Sequence, residues 1–106
     1  MRDDTLPSGA ELRNTEHRKL RWYMLQMLDR SGSMGCNERL LFFGAERMGF
    51  EVLQAGIRSE LEYLADKGLA TITQGPVWIG KITAAGTDVV EHSVPCPPGI
   101  ERPAQY

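Results

Sequence analysis

Apolar residues recur at steps of three and four from Asn14 or Thr15 onward, where Leu20, Tyr23, Met24, Met27 and Leu28 mark one buried face of a helix. Thr15 is placed to cap its start, and Glu16 in the first turn suits the positive end of the helix dipole. The run DRSGSMG, punctuated by Gly32 and Gly35, breaks the pattern. A second helix is predicted from Cys36 or Asn37 through ERLLFFGAERM. Its Leu40, Leu41, Phe42, Phe43 and Met48 supply more apolar surface than a solvent-facing helix tolerates, and Gly49 suits a left-handed cap. After the link Phe50 to Val52, the segment LQAGIRSELEYLADK reads as a third helix stopped by Gly68. Leu53, Ile57, Leu61 and Leu64 form its inward stripe, with Gln54, Arg58 and Glu62 on another face.

Beyond Gly68 the period shortens to two. LATIT, a turn at Gln74-Gly75-Pro76 and the return strand VWIGKI predict a β-hairpin. Thr83 then caps a short helix through AAGTDVVEH, which Gly86 weakens. The first dozen residues, with Pro7, Ser8 and Gly9 among charges, have little to bury. The chain thus divides into a flexible arm over 1–13, a folded domain over 14–92 and a Pro-rich extended tail over 93–106. That tail, VPCPPGIERPAQY, is pre-set for docking on the domain's own surface or on a second protomer, unless it is simply a frayed end.

Composition narrows the class. At 106 residues, 42% hydrophobic and 25% charged, the chain is one globular domain, neither disordered nor collagen-like. No run of about 18 apolar residues exists to cross a membrane. MRDDTLPSGAELRN lacks the apolar region of a secretory signal. Cys36 and Cys96 stand alone, without the partners a disulfide framework or zinc knuckle requires, so a cytoplasmic protein with free thiols is expected. The net charge of −2 lacks the basic excess with which duplex-binding proteins neutralise phosphates.

The order helix, helix, helix, hairpin, short helix resembles a winged helix-turn-helix domain. SELEYLADKGLATI, the Gln74-Gly75-Pro76 turn and VWIGKITAAG carry the resemblance. Helix, Leu-x-x-Lys-Gly-Leu, strand, turn, strand, Thr-x-x-Gly is the reading of many winged-helix regulators of the ArsR, MarR and PadR kinds. With NERLLFFGAERMGF and PPGIERP included, the pattern over roughly residues 14–103 is similar to small winged-helix proteins of Mu-like prophages. The resemblance implies a mainly α fold of three helices, a two-stranded wing and a short C-terminal helix. It also implies one of two uses: a DNA-binding phage or prophage transcriptional regulator, or a protein-interaction module of a phage assembly or development complex that binds no DNA.

In the DNA reading the third helix enters the major groove, with Gln54, Arg58 and Ser59 toward base edges. Thr73, Gln74 and Lys81 of the hairpin would meet phosphates. Residues 51–81 nevertheless hold three cations, Arg58, Lys67 and Lys81, against the four acids Glu51, Glu60, Glu62 and Asp66. The plain alternative is a solvated face on which Arg58 pairs with Glu62. The run Arg13, Arg18, Lys19 and Arg21, opposed by Glu16 and beside His17, offers Arg18 and Lys19 as phosphate contacts or as an ordinary polar face.

Trp22 is expected to project outward and to mark a homodimer interface, while Trp78 packs the return strand over the third helix or anchors a partner. Met24, Met27 and Met48 read as core filler. His17 and His92 lack companions at ligand spacing, so neither a metal nor another cofactor is expected. Cys36 reads as a buried helix-start thiol before a redox sensor. No nucleophile–base pair, phosphate loop or paired carboxylates stand out, and the expectation is a non-enzyme whose partners are duplex DNA, a second copy, or a phage or host protein.

Overall fold

The structure, a computed structural model, describes residues 5–103. It is mainly helical, with four helices and one small three-stranded antiparallel sheet. Residues 1–4 of the expected arm and 104–106 of the expected tail lie outside the described residues.

Helix α1 covers Gly9–Ser31 and begins before Asn14. Ser8, not Thr15, caps it: the Ser8 hydroxyl accepts from the Glu11 amide at 3.1 Å and its carbonyl from the Leu12 amide at 3.0 Å. Residues 9–13 are therefore helical rather than part of an arm. Leu20, Trp22, Met24, Leu25 and Leu28 are buried along α1, a wider arc than the stripe read from the sequence. The reason is central placement, since the other three helices and strand β3 all pack against this helix. The outward position expected for Trp22 is corrected here: it is 6% exposed, with its ring edge-on to His92.

After a single 3-10 turn at Gly32–Met34 the chain forms strand β1, Cys36–Asn37, where the sequence suggested a helix start. Gly35 makes this possible. Its φ is +75°, and a Cβ there would lie 2.7 Å from the Gly80 carbonyl oxygen, so only glycine lets the chain come this close to the neighbouring strand. Helix α2, Glu38–Arg47, follows at once, its Asn37 cap accepting from the Leu40 amide at 2.9 Å. Gly49 leaves α2 at φ +91°, the left-handed exit expected.

Helix α3 runs Gln54–Asp66, with Leu53 as its N-cap in extended conformation. Leu53 consequently stands off the helical stripe and is 78% exposed, not inward as its spacing suggested. Ile57, Leu61 and Leu64 are fully buried. Strands β2, Ala70–Thr73, and β3, Ile79–Ile82, form the expected hairpin. The sheet order is β1-β3-β2, with Cys36 and Ile72 on either side of Gly80.

Helix α4, Ala84–Val90, closes the fold. The Thr83 hydroxyl accepts from the Gly86 amide at 3.1 Å and donates to the Gly68 carbonyl at 2.7 Å, tying the helix start to the end of α3. The core unites Met24, Leu25 and Leu28 of α1 with Leu41, Ile57, Leu61, Leu64 and Val89, each large side chain contributing about 1.5–3 kcal/mol by burial.

Residues 91–103 have neither helix nor strand, yet residues 96–103 lie back along α1 as a strap. Ile100 is 4% exposed within the core. The Glu101 amide donates to the Arg18 carbonyl at 3.1 Å, Arg21 Nη1 to the Gly99 carbonyl at 3.0 Å, and Arg102 Nη2 to the Val89 and Val94 carbonyls.

Candidate interaction surfaces

The face shared by α2, α3 and the hairpin is organised around a buried acid. Glu38, 1% exposed, receives Arg58 Nε at 2.5 Å, Arg58 Nη2 at 2.8 Å and Gln54 Nε2 at 3.2 Å. Its amide donates to the Trp78 carbonyl at 2.9 Å, which fixes the start of α2 to the hairpin. The Arg58 hydrogen bonds hold the Glu38 carboxyl below its usual range against the upward push of burial. The same contact raises the Arg58 guanidinium further above its ordinary value. Arg58 also lies 4.8 Å over the Trp78 ring and reaches the Pro76 carbonyl at 3.4 Å.

Two of the candidate base-reading residues, Gln54 and Arg58, are thus brought together, but on a carboxylate of their own chain. Arg58 pairs with Glu38, not Glu62. Ser59 is exposed and donates to the Ala55 carbonyl at 3.2 Å. Thr73, Gln74 and Lys81 of the hairpin are exposed and form no side-chain hydrogen bond or ion pair among the described residues. Trp78 is half-buried beneath Arg58.

Arg18 and Lys19 sit on α1 away from that face. Glu101 of the strap lies 3.6 Å from Arg18 Nη2 and 3.8 Å from Lys19 Nζ. These partly exposed pairs add little to stability, but they place an acid directly over the basic run. Arg21 is more firmly held, by Glu60 at 2.9 Å and by the Tyr63 ring 3.7 Å away.

The remaining surface is apolar in places where few side chains of that kind are expected. Leu40, Phe43, Met48 and Leu53 are all more than half exposed. That corrects the expectation that the apolar residues of α2 go inward together: Leu41 does, Phe42 does in part, and Leu40 and Phe43 point away. Leu53 lines a shallow cleft of about 550 Å³ with Glu46, Phe50, Glu51 and Val52. Met48 borders a second groove of about 560 Å³ beneath the strap, with Trp22, Tyr23 and Phe50.

No group of three or more metal-ligating side chains occurs among the described residues, and no described helix is long and apolar enough to cross a membrane. Both cysteines are free thiols, and burial pushes the Cys36 thiol up.

Sequence reasoning missed Glu38, and a signal for it existed. Glu38, Leu41 and Ala45 are spaced three and four apart, so the acid shares the buried face of α2 and requires a cation opposite. Glu60 gave the same signal, three residues after Ile57 and four before Leu64 on the buried face of α3, whereas Arg102 gave none. No protein-family model, curated protein or solved structure matches this chain.

Proposed function

We propose that the chain is a winged helix-turn-helix domain that works by protein–protein contact and does not read duplex DNA. The observation that carries this reading is the occupancy of the α2–α3 face. Arg58 and Gln54 are bound to Glu38, while Leu40, Phe43 and Leu53 stand at the surface nearby. A duplex-binding face needs free cations over phosphates, and an interface core needs desolvatable apolar groups. The winged-helix assignment is supported by α2 and α3 joined by a short link, followed directly by the hairpin and α4. A place in a phage assembly or development complex, in the cytoplasm, follows from the resemblance of the sequence.

One observation favours the second reading, a DNA-binding transcriptional regulator. Gln54, Arg58 and Ser59 share the start of α3, beside the exposed Thr73 and Gln74 of the hairpin. The experiment that decides is a fluorescence-anisotropy titration of random-sequence duplex at low and moderate salt. The interaction reading expects no binding at either. Micromolar binding that fades steeply with salt would overturn it, and loss of that binding in Lys81→Ala would put the contact on the hairpin.

A further inference from the structure

We propose that the outward face of α2 is a docking strip for a partner helix carrying one apolar side chain between two carboxylates, each four residues away. The inference rests on the reading of the chain as an interaction module, and names the chemistry of the partner.

Leu41 and Ala45 turn α2 toward the core, so the opposite face is set by helical spacing. Along it Arg39, Phe43 and Arg47 fall four apart, one straight row with steps of about 6 Å. Phe43 at the centre is 56% exposed, and the Arg47 guanidinium lies 5.7 Å from its ring centroid. Arg39 and Arg47 are exposed and form no ion pair among the described residues, unlike Arg18, Lys19, Arg21 and Arg58. The row therefore presents an apolar centre flanked by two available cations. Leu40 widens the apolar part on one side. Glu46 borders the other, toward Leu53, and disfavours an acid there, which fixes the side on which the partner's carboxylates lie.

A second copy does not fit this row. Two-fold pairing of α2 with itself sets Arg39 against Arg47 when the helices are antiparallel, and each arginine against its own copy when they are parallel. Like charges face one another in both cases. A partner helix with Glu, Leu and Glu at i, i+4 and i+8 meets both cations and covers Phe43.

The test uses the isotope-labelled full chain and three alanine-based helical peptides of about 18 residues, long enough to hold a helix. They carry Glu–Leu–Glu, Lys–Leu–Lys or Glu–Ala–Glu at the stated spacing. The expected result is saturable shifts of the Arg39, Phe43 and Arg47 resonances with the first peptide, and binding at least tenfold weaker with the other two. The Arg39→Glu/Arg47→Glu variant should exchange the preference to the Lys–Leu–Lys peptide, and Phe43→Ser should lose it. All three residues are exposed, and circular dichroism checks that each variant stays folded. Equal response to the acidic and basic peptides, shifts confined to another face, or no exchange in the charge-reversed variant would overturn the strip. So would a dimer that Phe43→Ser dissociates, which would assign the face to a second copy. Peptide failure together with a negative duplex titration removes the strip alone. Salt-sensitive duplex binding removes the interaction reading itself.

Discussion

Replacing Gly86 by alanine pits two effects of opposite sign against each other. Gly86 lies inside α4, and glycine to alanine in a helix interior ordinarily stabilises by about 1 kcal/mol. Here a Cβ would collide with the Leu69 carbonyl oxygen and lie 2.7 Å from Ile82 Cγ1. The carbonyl is backbone at the entry to β2, and it accepts from the Thr83 amide at 3.1 Å. Moving it aside loosens the hinge between β3 and α4, at about 1–3 kcal/mol for overpacking and about 1 kcal/mol for the weakened hydrogen bond. Strain wins over propensity, and Gly86→Ala should be destabilised by about 2 kcal/mol. For a domain of this size that lowers Tm by roughly 10 °C. Urea unfolding followed by tryptophan fluorescence and circular dichroism, with an unchanged m value, measures it. Gly44→Ala is the comparison, because its Cβ meets the Tyr23 hydroxyl, the far end of a side chain that can swing away. A Gly86→Ala protein as stable as the parent would refute the close approach of α4 to Leu69.

The strap gives a second prediction: Ile100→Ala, which opens a cavity that a terminal segment can partly close, should cost about 2 kcal/mol in the same urea assay. The acid limb of stability should depend on Glu38. Its carboxyl is held low when folded, so its contribution is present above the ordinary glutamate range and is lost as pH falls through the depressed value. Thermal melts from neutral pH downward should therefore fall more steeply below pH 4.5, the ordinary glutamate value, in the parent than in Glu38→Gln. Under native conditions a thiol reagent should modify the half-buried Cys96 before the buried Cys36, which desolvation also keeps protonated; equal rates in a timed mass-spectrometric assay would contradict the burial.

The helices and the hairpin were legible because their signals are local. The helix start near Asn37, Gly49 as a left-handed exit, the stop at Gly68 and the Thr83 cap before α4 each act within one turn of chain. What sequence periodicity could not supply were features created by distant partners. Two residues suffice for β1 only because β3 lies beside them, and Cys36 and Asn37 carry no strand pattern of their own. Trp22 looked like a surface residue because one stripe already accounted for a helix with a single buried face. Packing on several sides buries it as well. Among the candidate site residues, identity and face were readable for Gln54 and Arg58, but their common partner lies 16 and 20 positions earlier. Leu53 failed for a conformational reason, since an extended N-cap does not obey the period of the helix it starts.

The strap also bears on how the molecule opens. Arg21 and Gly99 are 78 positions apart, so this hydrogen bond closes a long loop that spans α1, α3 and α4. Residues 96–103 follow the last helix and belong to no helix or strand ladder, which makes this segment the natural first unit of local unfolding. Its release uncovers Arg18 and Lys19 and removes Arg102 from its place 5.7 Å over the Trp22 ring. In native-state hydrogen exchange the Glu101 amide should then be labelled well before the amides at the centre of α1. A protease acting on the folded protein should cut first between α4 and Ile100, and the nicked chain should expose a tryptophan that the intact one conceals.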